Sequence, residues 1–396
     1  MLPSRSNCSC FVPFCVYGLP MARAASSSSR FRHRPVELSP PRTGEKGRGA
    51  RSNISGRYEK DQRSEFHDGW DIEEDPPQKN ATIVTNENPR SIINYVESPF
   101  VHFDRSINMY RGCEHGCIYC FARPTHAYYG LSSGLDFEKR LFAKPNAAKL
   151  LVRELRAASY QPRPIAIGTN TDPYQPIERQ RRLMRSVLSV LRDFKHPVSI
   201  LTKSALIERD MDLIAEMAAY NGARAMLSIT SLDPSLSRAM EPRACAPQKR
   251  LTAVRRLASA GIPTGVMTAP IIPGLNDHEL EDLLAAAKDA GAAFVGYTVI
   301  RLPKEVAPLF REWLESAFPH RAARVMRHIR DMNGGRDYDP DWSRARAPRE
   351  ETARLIQARF RAARRRLGFA AEIPELSTAH FRPPVEKGDQ LALFQN

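Results

Sequence analysis

The feature that most restricts this chain is the run Cys113-Glu114-His115-Gly116-Cys117-Ile118-Tyr119-Cys120, with its cysteines spaced C-x₃-C-x₂-C directly after an extended-looking segment, Ser106–Arg111. Any fold it adopts must turn sharply after a strand and gather three sulfurs. Three thiolates can hold three irons of a cubane cluster, and no fourth cysteine stands nearby to close the fourth iron. Structural zinc sites have four closed ligands, usually two pairs with a long gap, and cysteine runs for electron transfer supply four thiolates. His115 would complete a zinc site only through a cramped loop, because it lies between two of the ligands. The spacing therefore points to a reaction centre with one open iron.

The rest of the chain supplies a frame for such a centre. From Arg90 onward, strand-like runs alternate with helical ones, the pattern of βα units and a parallel sheet. Strands are expected at Ser106–Arg111, Arg140–Ala143, Ile165–Gly168, Val198–Leu201, Ala225–Ile229, Pro263–Thr268 and Ala293–Ile300. Helices are expected from Asn146 to about Ala158, at Glu178–Phe194, from Ser204 as cap to Tyr220, at Pro247–Ala260 and from Asp277 to Ala290. About six βα units imply an open or partial α/β barrel, in which ligand residues lie at the carboxyl ends of the strands. The cysteines follow the first strand, Thr169–Asp172 the third, Thr202–Ser204 the fourth, and Thr230-Ser231 the fifth.

Residues 1–88 read as a disordered basic tail, rich in Ser, Arg, Pro and Gly and without sustained periodicity. Residues 89–320 form the expected core, and 321–396 a helical, basic C-terminal extension with a flexible end. The net charge is +15, but residues 1–57 hold ten Lys/Arg against two Asp/Glu, and 321–396 sixteen against ten, so the core is nearly neutral. That distribution suits a polyanionic partner or merely solvated tails. The helix Arg349–Leu367, with seven arginines, could grip phosphates or simply present a solvated face. Cys8, Cys10 and Cys15 lie in the tail and Cys245 stands alone in the core. No disulfide framework is readable, and thiolate ligands imply a reducing, cytoplasmic setting. No run reaches the length of a membrane span, and Cys10–Leu19 is short and interrupted by Pro13. It reads as a poor signal peptide or as an extension ahead of a start at Met21.

The cysteine run, with Asn108-Met109-Tyr110-Arg111-Gly112 before it and Phe121-Ala122-Arg123-Pro124 after it, resembles the radical S-adenosylmethionine (radical SAM) superfamily. It is most similar to the branch of spore photoproduct lyase and its uncharacterised bacterial relatives, over residues from about 95 to 320. The resemblance implies an α/β fold, a partial (β/α)6 radical SAM barrel. It also implies a [4Fe–4S] cluster on Cys113, Cys117 and Cys120, and S-adenosylmethionine chelated by the open iron and split reductively to a 5′-deoxyadenosyl radical. By the same resemblance, Asn170 or Asp172 would accept the amino end of S-adenosylmethionine, and Lys203 would pair with its carboxylate. Ser228 would meet a ribose hydroxyl, and Tyr119 would lie against adenine. Each has a plainer reading: a capped turn before Pro173, a surface lysine, a sheet serine.

The chain departs from the lyases in one respect. They quench the product radical with a separate cysteine near the third strand, whereas this sequence has no cysteine from 121 to 244. Cys245 is either a redirected hydrogen donor or inert packing. The expected function is hydrogen abstraction from a substrate, nucleic acid before protein, lyase- or repair-like, with a reductant such as flavodoxin or ferredoxin. The alternatives are a non-catalytic iron–sulfur nucleic-acid-binding protein and a radical enzyme acting on protein. The terminal Gln390-Leu391-Ala392-Leu393-Phe394 resembles the peptide by which bacterial repair proteins dock on the sliding clamp.

Overall fold

The computed structural model describes residues 47–59, 81–97, 101, 103–340 and 350–385. Ten strands are present among them: β1 (Ile83–Asn86), β2 (Ile93–Tyr95), β3 (Arg105–Ile107), β4 (Tyr110–Arg111), β5 (Arg140–Ala143), β6 (Ile165–Ile167), β7 (Val198–Thr202), β8 (Ala223–Ser228), β9 (Thr264–Ile271) and β10 (Phe294–Val299). The main sheet runs β10-β9-β8-β7-β6-β3-β2. Its six strands from β3 to β10 are parallel and follow chain order, and β2 adds antiparallel on the edge. This is the expected partial (β/α)6 barrel.

Both faces of the sheet are covered, as a parallel sheet requires. On the outer face Val198, Ile200, Leu227 and Val266 share one core with Leu188, Ile214, Leu257 and Leu284 of the surrounding helices. On the inner face Met226, Met267 and Phe294 pack with Ile373. That inner layer fills the barrel from below and leaves its upper end open. The last described segment crosses the lower end: Ala370 N donates to Ala293 O (3.2 Å), Ser377 N to Asn221 O (2.9 Å), and Arg382 N to Phe194 O (3.0 Å). Those three acceptors lie just before β10, β8 and β7.

Four expectations need correction. The strand expected over Ser106–Arg111 is two, β3 in the main sheet and β4 in a separate one. Arg140–Ala143 is a strand but not part of the barrel. As β5 it pairs with β1 and β4 in a separate three-stranded sheet, burying Leu141 and Ala143. Its partner β1 lies inside the segment read as a disordered tail. Residues 47–59 of that segment are also packed on the core, with Arg48 and Ala50 buried, so the 1–88 boundary does not hold for them. The helix expected over 178–194 is two, Glu178–Arg181 and Leu183–Asp193, broken where Arg182 adopts φ 51°.

The arginine-rich helix is Glu351–Arg366, which buries Ile356, Phe360 and Ala363, while Arg359 is tied to Glu281 at 2.6 Å. Arg349, Cys8, Cys10, Cys15, Met21 and the Gln390, Leu391, Leu393 and Phe394 peptide lie outside the described residues.

Candidate active site

The chain turns out of β4 through Gly112 into the cysteine loop. Two tight turns, Gly116 N to Cys113 O (3.4 Å) and Cys120 N to Cys117 O (3.2 Å), fold the loop back on itself. Cys113 and Cys117 are buried and Cys120 half-buried, and all three line one cavity of about 480 Å³ at the upper end of the barrel. The loop is anchored on several sides. Cys113 N donates to Phe137 O (3.0 Å), Ile118 N to Met240 O (3.1 Å), and Glu114 N to Gln175 Oε1 (2.9 Å). The fully buried Arg123 guanidinium donates to the carbonyls of Cys117 (3.0 Å) and Gly116 (3.2 Å) and pairs with Glu138 at 2.5 Å.

Burial pushes all three thiols above their ordinary range; for Cys113 the nearby Asp172 carboxylate adds to the effect. Iron binding would displace those protons. Among the described residues, no three His, Cys, Asp or Glu side chains converge as a single metal ion requires. His115 is buried with Nδ1 3.3 Å from Asp172 Oδ2, an ion-pair separation without hydrogen-bond geometry. A donor set of three separate thiols lining one cavity, with no fourth cysteine in the lining, fits a three-thiolate cluster with one open iron.

The strand ends supply the rest of the cavity. Asn170, Asp172, Lys203, Ser228 and Tyr119 all line it, so the expected residues are brought together. Their chemistry is not uniform. The Asp172 carboxylate accepts from Thr202 Oγ1 (2.6 Å), Lys203 N (2.7 Å) and Tyr174 N (2.9 Å). Burial alone would raise its pKa, but His115 and these donors outweigh it and hold the group at about 2. Asp172 is therefore a locked turn anchor, with its accepting capacity largely used. Asn170 Oδ1 is buried and has no hydrogen-bond partner. It is the unfilled acceptor of this segment.

Lys203 Nζ donates to Ser228 Oγ (2.9 Å), lies 3.9 Å from Glu241 Oε1, and sits 5.8 Å above the Tyr119 ring. Ser228 in turn donates to Ala269 O (3.2 Å), so its hydroxyl proton is used within the protein. Tyr119 points its hydroxyl inward to donate to Glu241 rather than toward the cavity. Glu241 also accepts from Thr230 Oγ1 (2.6 Å) and pairs with Arg250, and both charged side chains are fully buried. Burial would raise Glu241, but Arg250, Lys203 and the two hydroxyls bring it down to about 2. Sequence reasoning missed Glu241, Arg250, Glu138 and Gln175. Arg123 stood in the motif that carried the resemblance, without a role.

Cys245 is not in the cavity lining. Its Sγ accepts from Ala205 N at 3.3 Å and lies 3.9 Å from Ser204 Oγ. The thiol expected as a redirected hydrogen donor thus stands apart from the residues that line the cavity.

No helix among the described residues is long and apolar enough to cross a membrane. Residues 107–287 match the family model of the radical SAM superfamily. Uncharacterised proteins of Mycobacterium bovis and Mycobacterium tuberculosis are 39% identical over 224 residues, 56% of this chain and 66% of theirs. The match thus spans about two thirds of those relatives. An uncharacterised protein of Methanocaldococcus jannaschii is 31% identical over 174 residues, 44% of this chain and 62% of its own length. Among solved structures, spore photoproduct lyase complexed with dinucleoside spore photoproduct overlays with a TM-score of 0.49 at 15% identity, covering 72% of this chain and 79% of that one. Residues 107–287, which include all three cysteines of the loop, thus carry a match to the radical SAM superfamily.

Proposed function

We propose that this chain is a radical SAM enzyme that abstracts hydrogen from a nucleic acid. Cys113, Cys117 and Cys120 would hold the [4Fe–4S] cluster, and the cavity beside them would take S-adenosylmethionine. When bound, these groups supply reductive cleavage to methionine and a 5′-deoxyadenosyl radical, with an electron from a donor of the flavodoxin or ferredoxin class. The observation that carries the reading is that the three cysteines, Asn170 and Lys203 line one cavity.

The chain's own residues then divide the work. Asn170 Oδ1, the unfilled acceptor, meets the ammonium of S-adenosylmethionine, and Lys203 meets its carboxylate. Ser228 acts by orienting Lys203, since its hydroxyl is spent on Lys203 and Ala269. Tyr119 and Glu241 fix the loop carrying Cys117 and Cys120 against β8, and Tyr119 leaves its backbone rather than its hydroxyl to the cofactor.

The cavity mouth supports nucleic acid as substrate. Arg57, Tyr128, Arg301, Lys304 and Tyr338 line it. Tyr128 stacks on Tyr58 at 5.4 Å, the Arg57 guanidinium lies 5.4 Å from the Tyr58 ring and 5.9 Å from the Tyr128 ring, and Arg301 lies 5.3 Å over Tyr338. Exposed rings and guanidinium planes are surfaces on which unpaired bases stack.

The test uses anaerobically reconstituted protein with dithionite, S-adenosylmethionine and deuterated DNA, RNA or protein pools. Deuterium entering 5′-deoxyadenosine from a nucleic-acid pool is the expected result. Transfer from the protein pool alone would move the substrate class, and an intact cluster without any cleavage would overturn the enzyme reading.

A further inference from the structure

The segment just ahead of residue 59 falls outside the matched family region and was expected to be disordered. Its backbone instead lies against the cysteine loop. Gly49 N and Ala50 N both donate to the Glu138 carboxylate, at 2.9 and 2.8 Å, and Arg48 Nη1 donates to the Glu138 carbonyl at 2.8 Å. Glu138 is fully buried and shares the same carboxylate with Arg123, whose guanidinium holds the carbonyls of Cys117 and Gly116. One carboxylate thus joins the segment to the loop that carries the sulfurs. Contact is also direct. A Cβ on Gly49 would stand 1.7 Å from Gly116 O, so only a residue without a side chain fits there.

Further bonds fasten the segment at its far end. Ser52 Oγ donates to Glu312 Oε2 (2.7 Å), Asn53 Nδ2 donates to Asp136 Oδ1 (3.1 Å), and Asp136 N donates back to Asn53 Oδ1 (3.0 Å). A second arm comes from just before β1, where Thr82 Oγ1 donates to Glu114 Oε1 (2.6 Å) in the middle of the cysteine run. The segment is therefore fastened at both of its own ends, and the second arm meets the loop separately through Glu114.

We propose that residues 48–53 are a positioning strap of the active site, which clamps the cysteine loop through Glu138 and Arg123 and shuts water out from its outer side. The strap acts through the loop and touches no reacting atom. The proposal rests on the cysteine loop being the cluster site, and its test separates the two. In the full-length protein, Gly49→Val should lift the strap. Amide hydrogen exchange over residues 113–118 is read first in iron-free protein, where it does not depend on what the cysteines bind. At least a tenfold faster exchange there, with exchange in the outer helices unchanged, is expected. In reconstituted protein the half-time for iron extraction by a chelator should fall at least fivefold, while the unfolding midpoint shifts by only a few degrees.

Unchanged exchange and unchanged extraction in Gly49→Val would overturn the strap. Faster exchange without any iron to extract in the parent protein would leave the strap standing and overturn the cluster. Should Gly49→Val not fold, Ser52→Ala combined with Asn53→Ala releases the far anchors, and the same two readouts apply with the same expected direction.

Discussion

Lys203 Nζ donates to Ser228 Oγ at 2.9 Å, which joins residues at the upper ends of two neighbouring parallel strands into one polar unit on the cavity wall. The lysine is held from behind by Glu241 at 3.9 Å and is partly open on the cavity side.

Replacing that lysine should weaken cofactor binding. A hydrogen bond to a charged group contributes about 1.5–3 kcal/mol, or roughly 10- to 150-fold in affinity. Titration calorimetry of Lys203→Met with S-adenosylmethionine should show a loss in that range. Ser228→Ala, which only frees the lysine to wander, should lose less than about tenfold, since a neutral hydrogen bond contributes about 0.5–1.5 kcal/mol. Equal losses in the two variants would place Ser228 on the ligand itself.

Glu241 and Arg250 form a fully buried pair. Removing one member strands the other charge in the interior, which costs about 3–5 kcal/mol. Urea unfolding of Glu241→Gln should show a loss of that size. Glu241→Leu with Arg250→Met should recover much of it, because neither charge is then left alone. A fully additive loss in the double variant would mean that the two residues act separately.

Acid should destabilise the protein well above the carboxylate range. Burial lowers His126 to about 4 and His196 to about 3, against an ordinary value near 6.5. Both rings are neutral in the folded state, while the unfolded chain takes up their protons as pH falls through 6.5. Stability therefore rises with pH across the window from about 4 to 6.5 and is lost on going down through it. By pH 5 the loss should be about 2 kcal/mol for each ring. Urea midpoints at pH 7 and pH 5 measure it, and no change between them would contradict the burial of both histidines.

Cys245 should be dispensable for the chemistry. Cys245→Ser can still accept from Ala205 N and leaves the cavity lining untouched. The initial rate of 5′-deoxyadenosine formation should stay within about twofold of the parent. A loss beyond about tenfold in that rate, with the fold intact, would return the thiol to the reaction path.

What the sequence disclosed follows from how local each signal is. The cysteine spacing and the strand runs around Ile165–Ile167 and Val198–Thr202 are local patterns, and the fold realises them. β5 was found as a strand but assigned to the wrong sheet, because its partner β1 is a short, largely exposed run in polar surroundings. The strap gave no signal in the sequence: its bonds to the Glu138 carboxylate are made by the backbone N–H groups of Gly49 and Ala50, which leave no mark in residue type. Glu241 is a lone acid in a proline-rich loop, and only tertiary pairing with Arg250 shows that it is buried. Asp172 and Asn170 sit two residues apart in one motif, yet only the fold distinguishes the saturated carboxylate from the open carbonyl.

Metal analysis of oxygen-free protein, parent beside Cys113→Ser, Cys117→Ser and Cys120→Ser, tests the central claim most directly. The parent should carry about four irons with matching sulfide and release 5′-deoxyadenosine on reduction with S-adenosylmethionine, and each variant should lose both. Zinc in place of iron in the parent, or iron content unaffected by all three substitutions, would contradict the assignment.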